Sequence, residues 1–204
     1  FFADITTPEQ AYILGFVAAD GGIGNNEHTL FIGLHPQDRD ILEKIRFHLG
    51  SNAPIKQTFA KNNGQERYEM AVFYVSSMTL VQDLIALGIT PRKSMTLKYP
   101  ALPQALERHY IRGLWDGDGH IGRDQFSLAA TYATAYGAQQ AILAATGRTL
   151  RLSPERSFYR LEGSGRSWSV LQWLYKDSTI HLQRKFMRYQ QWWIRTENHQ
   201  LSLF

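Results

Sequence analysis

The chain contains no cysteine. That absence excludes disulfides and thiolate zinc sites, removes zinc fingers from the possible classes, and fits an intracellular protein. Proline is sparse, at seven residues in 204, while 44% of the chain is hydrophobic; this balance excludes a disordered polymer and is enough to bury a sizeable core as one or two domains. No apolar run approaches the length of a membrane span and no secretory pattern opens the sequence, so a soluble protein with no membrane partner is expected. An intact intein would need a nucleophile at the start and His-Asn at the end, and neither is present. The expectation is a freestanding protein or one cut from something larger.

Charge is modest overall and uneven along the chain. Residues 1–100 hold nine Lys/Arg against ten Asp/Glu, and residues 101–204 hold thirteen against eight, so the halves carry −1 and +5 and sum to +4. A pI near 9.3 permits a nucleic-acid partner without demanding one.

What is present is a repeated phrase. Tyr12-Ile-Leu-Gly-Phe-Val-Ala-Ala-Asp20-Gly-Gly-Ile-Gly24 returns as Tyr110-Ile-Arg-Gly-Leu-Trp-Asp-Gly-Asp118-Gly-His-Ile-Gly122 at an offset of 98 residues, with seven positions identical. The chain therefore reads as two tandem copies of one unit. Each copy is an apolar stretch ending at Asp-Gly, which predicts a buried helix stopped by a glycine in the left-handed C′ conformation. An acid at a helix C-terminus meets the negative end of the dipole and is unfavourable there by about 0.3–1 kcal/mol. Two such acids in register point to a shared cation. Small residues, Gly15, Ala18 and Ala19 in one helix and Gly113 and Gly117 in the other, predict a seam on which the helices pack and bring Asp20 beside Asp118. Oxygen donors of this kind, with helix-end carbonyls behind them, suit Mg²⁺.

These phrases, Ile13 to Gly21 and Ile111 to Gly119, resemble the paired motifs of the LAGLIDADG homing endonucleases, in the monomeric two-motif form. The resemblance implies an α+β fold of two pseudo-symmetric αββαββα units, residues 1–100 and 101–204, the second with an extra C-terminal helix. The motif helices would pack at the interface, and two antiparallel sheets would form a DNA-binding saddle. It makes Asp20 and Asp118 the metal-binding acids, with Ala19 and Gly117 beside them in the metal site. The family's other acid is present as Asp116 but is Ala18 in the first copy, so these two are read with Gly15 and Gly113 as packing positions. His120 is read as an exposed loop residue.

A coarse pass along the residues yields the same element order twice. Thr7-Pro8-Glu9-Gln10 has the form of a capping box with proline at N1, and Pro103 is given the equivalent place before the second motif helix. Alternation at Leu30, Ile32 and Leu34 predicts a strand, and Ile41, Leu42, Ile45 and Leu49 predict a helix over 38–50. A hairpin with strands at 54–60 and 67–75 turns through Asn62-Asn63-Gly64, and a helix runs over 78–87. In the second unit the strands are expected at 126–130, 148–153 and 156–162, with helices at 133–145, 167–175 and 184–197.

Alternation also predicts the faces. With Leu30, Ile32, Leu34, Ile55, Phe59, Tyr68, Met70 and Val72 turned inward, Thr29, Phe31, Lys56, Thr58, Arg67 and Glu69 face out. With Phe126, Leu128, Leu150, Leu152, Tyr159 and Leu161 inward, the second sheet presents Gln125, Ser127, Arg151, Arg156, Arg160 and Glu162. Such faces suit a DNA major groove. Arg92-Lys93 and Arg184-Lys185 each follow a unit's third helix, and by resemblance Lys93 and Lys185 flank the cleft as basic catalytic residues that organise the attacking water or stabilise the charge of the transition state.

The expected function is site-specific hydrolysis of both strands of a long DNA duplex, pseudo-palindromic at most, across the minor groove. Mg²⁺ would be the cofactor, with Ca²⁺ supporting binding without cleavage. The protein would act as a monomer without an obligate protein partner, in intron homing, within a prokaryotic or phage-infected cytoplasm or an organelle. A LAGLIDADG-type RNA maturase, a non-cleaving DNA-binding regulator and a duplicated protein with no nucleic-acid partner are the alternatives.

Overall fold

Thr7 starts the first helix. Its hydroxyl accepts the Gln10 amide at 3.2 Å while Gln10 Oε1 accepts the Thr7 amide at 3.0 Å, a reciprocal cap that leaves Pro8 at a position needing no amide hydrogen. In the computed structural model, which describes residues 1–61 and 67–201, the helix α1 runs Pro8–Asp20 and is buried from Ala11 to Ala18. The predicted turn Asn62-Asn63-Gly64 lies outside the described residues.

After α1 come β1 (Gly21–Ile23), β2 (Thr29–Leu34), α2 (Arg39–His48), β3 (Ile55–Lys61), β4 (Arg67–Ser76) and α3 (Met78–Ala86). The series then repeats as α4 (Gln104–Asp118), β5 (Gly119–Ile121), β6 (Gln125–Ala130), α5 (Tyr132–Thr146), β7 (Arg151–Pro154), β8 (Tyr159–Ser164) and α6 (Trp168–Tyr175), followed by α7 (Gln183–Leu201). The architecture is α+β. Each unit contributes a four-stranded antiparallel sheet, ordered β1-β2-β4-β3 in one and β5-β6-β8-β7 in the other. The short strands β1 and β5 follow the motif helices directly and had no residues assigned to them from sequence. Among the described residues no helix is long and apolar enough to cross a membrane.

The core is continuous between the units and centres on α1 and α4. Tyr12, Ile13, Phe16, Val17, Tyr110, Ile111, Leu114 and Trp115 are all buried there, together with Leu30, Ile32, Phe126 and Leu128 from the sheets. Gly15 and Gly113 allow this approach. A Cβ on Gly15 would lie 2.0 Å from the Tyr110 carbonyl oxygen, and one on Gly113 would lie 2.1 Å from that of Tyr12.

Four expectations are corrected. The glycines after the motif acids are extended rather than left-handed, with φ −85° at Gly21 and −91° at Gly119. The chain passes straight from helix to strand, and glycine is needed because a Cβ would strike the Val17 or Trp115 carbonyl. Pro103 is the N-cap of α4 rather than its first residue. The strand expected to start at Arg156 starts at Tyr159, which leaves Arg156 in the turn after β7. Finally, β4 is one residue out of phase. Phe73 pairs with both Ile32 and Ile55, so Ala71, Phe73 and Val75 face the core, whereas Tyr68, Met70 and Val72 share the outer face with Phe31, Lys56 and Thr58. Arg67 and Glu69 fall on the opposite face from Thr58. The run Met70–Val75 is apolar on both faces, so periodicity alone gave no unique phase and the pairing decides it.

Candidate active site and nucleic-acid interface

The two motif acids are the last residues of α1 and α4. A Cβ on Gly117 would lie 2.3 Å from the Ala19 Cβ and 3.2 Å from Asp20 Oδ2, so the small residues of the seam bring the helix ends, and their acids, together. Burial, and then the charge of Asp118, push Asp20 up to about pKa 6, with Lys185, Lys93 and Arg184 pulling the other way. Partial burial raises Asp118 as well, against the pull of Lys93 and Lys185. The Asp118 side chain nevertheless opens to solvent.

The lysines take an unexpected place. Both are buried, at 7% exposure for Lys93 and 3% for Lys185, and both cap the motif helices. Lys93 Nζ donates to the carbonyls of Ala19 at 3.2 Å and Gly21 at 2.6 Å. Lys185 Nζ donates to those of Trp115, Asp116, Gly117 and Gly119 at 2.7, 2.7, 3.1 and 2.6 Å. Each ammonium therefore occupies the negative end of a helix dipole, bonding carbonyls of the last helical turn and that of the glycine opening the next strand. Part of the cation that the paired acids called for is supplied by the chain itself. Burial pulls Lys185 down to about pKa 8, with Asp116 offsetting part of the shift, and lowers Lys93 against the pull of both acids. Lys93 sits in a short 3₁₀ turn after Arg92, which has φ +61°, and Lys185 in the first turn of α7. The Ala19 and Gly117 carbonyls, expected beside a metal, accept from these lysines, which leaves the two carboxylates as the oxygen donors at the helix ends, Asp118 exposed and Asp20 half-buried. Among the described residues no group of three His, Asp or Glu side chains gathers to hold a metal.

Asp116 is fully buried and ties the units together. It accepts from Tyr12 at 2.8 Å, from Tyr175 at 2.5 Å and from the Leu182 amide at 2.7 Å. Burial raises its pKa despite these donors. One turn earlier Arg112 is also buried, donating to the carbonyls of Ile180 and Leu174 and packing over the Tyr12 ring. Ala18, the counterpart of Asp116 in the first unit, is a buried packing residue. Sequence reasoning found Asp116 but not Tyr175 or Leu182, because nothing in the local spacing links positions 59 and 66 residues apart. A hint was available in Tyr12, a motif position whose hydroxyl needs a buried partner.

The sheet faces differ between units. In the second, Gln125, Ser127, Arg151, Arg160 and Glu162 share the outer face, as the pairs Ser127 to Glu162, Arg151 to Glu162 and Ala129 to Arg160 require. His120 joins them from β5 opposite Ser127, on a strand and not in a loop. The arginines are held by acids: Arg160 meets Glu155 at 3.0 Å, and Arg151 meets Glu162 at 3.7 Å. In the first unit the outer face carries Thr29, Lys56 and Thr58 among exposed aromatics, with Phe31 against Tyr74 at 6.3 Å between ring centres. Arg67 and Glu69 are exposed at the far end of the hairpin, where Glu69 accepts from Gln57 at 2.6 Å.

No family model and no curated protein matches the chain by sequence. Solved structures match by fold. Full-length DUF199/WhiA from Thermatoga maritima superposes with a TM-score of 0.60 at 13% identity, covering 96% of this chain and 64% of that one. The LAGLIDADG meganuclease I-AabMI bound to uncleaved DNA gives 0.59 at 10% identity, covering 97% and 93%. The homing endonuclease I-WcaI bound to its DNA recognition sequence gives 0.58 at 9%, covering 83% and 80%. The molecule is thus an α+β protein of the two-unit LAGLIDADG architecture. Its fold is shared by LAGLIDADG homing endonucleases and by the LAGLIDADG domain of WhiA, and this chain spans 64% of the length of the full WhiA protein.

Proposed function

We propose that this protein is a site-specific DNA endonuclease that hydrolyses phosphodiester bonds in both strands of a long duplex with Mg²⁺. The observation that carries the reading is the meeting of Asp20 and Asp118 at the ends of α1 and α4, each with its pKa raised and with Asp118 open to solvent. Neighbouring carboxylates of raised pKa are poor company without a cation, and two hard oxygen donors with room for water fit Mg²⁺. Bound there, such an ion would lower the pKa of its water and stabilise the charge that develops on phosphate oxygens.

The chain's own residues supply the rest. Lys93 and Lys185 hold the helix ends and set their carboxylates, and their charge would favour a phosphate bound at the paired acids. They are positioning residues in this reading. Gln125, Ser127, Arg151 and Arg160 face the duplex from one sheet and Lys56, Thr58 and Thr29 from the other, so the target is asymmetric. The likeness to DNA-bound homing endonucleases supports DNA as the partner.

A second reading, binding without cleavage, draws on the lysines: their ammonium groups are spent on six carbonyl bonds, two from Lys93 and four from Lys185, rather than aimed at a substrate. The test is selection of bound duplexes from a randomised library in Ca²⁺, followed by transfer to Mg²⁺. Cleavage of both strands by the wild type, lost in Asp20→Asn and Asp118→Asn with binding retained, is the expected result. Sequence-specific binding with no cut by any protein would establish the second reading.

A further inference from the structure

A basic groove lies away from the paired acids, between the end of the second sheet and α7. It has a volume of about 840 Å³ and is lined by Arg123, Arg148, Arg166 and Arg195, with Trp168 and Trp192 in its wall and Asp124 as its acid. A second cavity, of about 460 Å³, shares Arg123 and Arg195 and adds Arg188, so the two join into a trough. All four arginines of the groove are exposed, and among the described residues no carboxylate forms an ion pair with any of them. This contrasts with Arg151 and Arg160 on the sheet face.

The lining elements hold the trough in shape. Trp192 Nε1 donates to the Gly122 carbonyl at 2.6 Å, and Arg188 donates to that of Ile121 at 3.1 Å, so α7 is fastened to the β5 to β6 turn. Trp168 packs edge-on to Trp193 at 5.6 Å and remains half-buried, and Arg195 lies over the Trp192 ring at 5.8 Å.

Unneutralised guanidinium groups recognise phosphate, and an indole in the same wall recognises a flat ring. In a duplex every base is stacked on its neighbours and presents no face to an indole, whereas an unpaired base does. The trough is also longer than one cavity, which suits several consecutive phosphates rather than a lone nucleotide. We infer that this trough binds single-stranded nucleic acid, its arginines on the phosphates and Trp168 against an unpaired base, at a site separate from the duplex-facing sheets.

The experiment measures anisotropy of labelled twelve-nucleotide oligo-U and oligo-dT with the whole protein, beside the selected duplex and with AMP as competitor. The Arg123→Ala, Arg166→Ala double variant and Trp168→Leu are compared with the wild type, and their melting temperatures are checked. The expected result is a loss of single-strand affinity of about tenfold or more in both variants with duplex binding unchanged. The double variant should also shed about 1.4 from the magnitude of its log-log salt slope, the share of two single-strand phosphates. Equal loss of duplex and single-strand binding would make the trough part of the duplex footprint and overturn the inference. So would competition by AMP at oligonucleotide concentrations, or single-strand binding that the variants leave intact. None of these readouts involves cleavage, so they stand or fall apart from the nuclease reading.

Discussion

Lys185 is the residue on which the second motif helix ends. Three of its four carbonyl partners lie in the last turn of α4, at the negative end of the helix, and the fourth opens β5. Lys185→Met should therefore destabilise the protein by about 3 kcal/mol or more in denaturant titration, and Lys93→Met, which removes two bonds, by less. Equal effects would show that the number of carbonyls capped is not what matters. Asp20 makes the opposite contribution. Its folded pKa of about 6 stands above its ordinary 3.8, so ionisation works against the fold, and the stability present below the ordinary value is lost as pH rises through 6. In chelator, Asp20→Asn should melt higher than the wild type at pH 8, by on the order of 2 kcal/mol, with the gap closing below pH 4. A gap independent of pH would remove the electrostatic explanation.

At the scale of elements, the helix pair α1 and α4 is set by backbone contact. Gly15 and Gly113 have no room for a methyl group, so Gly15→Ala must push the helices apart and should cost about 3 kcal/mol or more. Gly147→Ala, at a left-handed helix end with φ +67° and open space around it, should cost only about 1 kcal/mol. Thermal melts of the two variants separate contact from conformation. The elements themselves were largely legible in sequence: the capping box, the third helix of the first unit, α5 and three of the four strands of the second sheet fall within a few residues of expectation. The phase of β4 was not, because its apolar residues cover both faces and only its neighbours choose between them.

The whole molecule is asymmetric despite its repeat. One sheet presents aromatics and the other presents arginines already paired with acids. Glu162→Gln releases Arg151 and removes a negative charge from the duplex-facing side, so duplex affinity should rise by about two- to fivefold at low salt and the gain should fade as salt is added. Titrations at several salt concentrations would check this, and an unchanged affinity would place the duplex elsewhere.

The tandem repeat, the two acids, the small-residue seam and the element order are properties of the sequence alone, because they depend on spacing and on residue size within each motif. The tertiary structure decided which long-range partners those residues meet. The lysines became helix caps, Asp116 became a buried knot between the units, and five arginines from four segments came to line one trough. Local periodicity carries no information about such pairings, since each joins residues that meet only when the two units close on a common core.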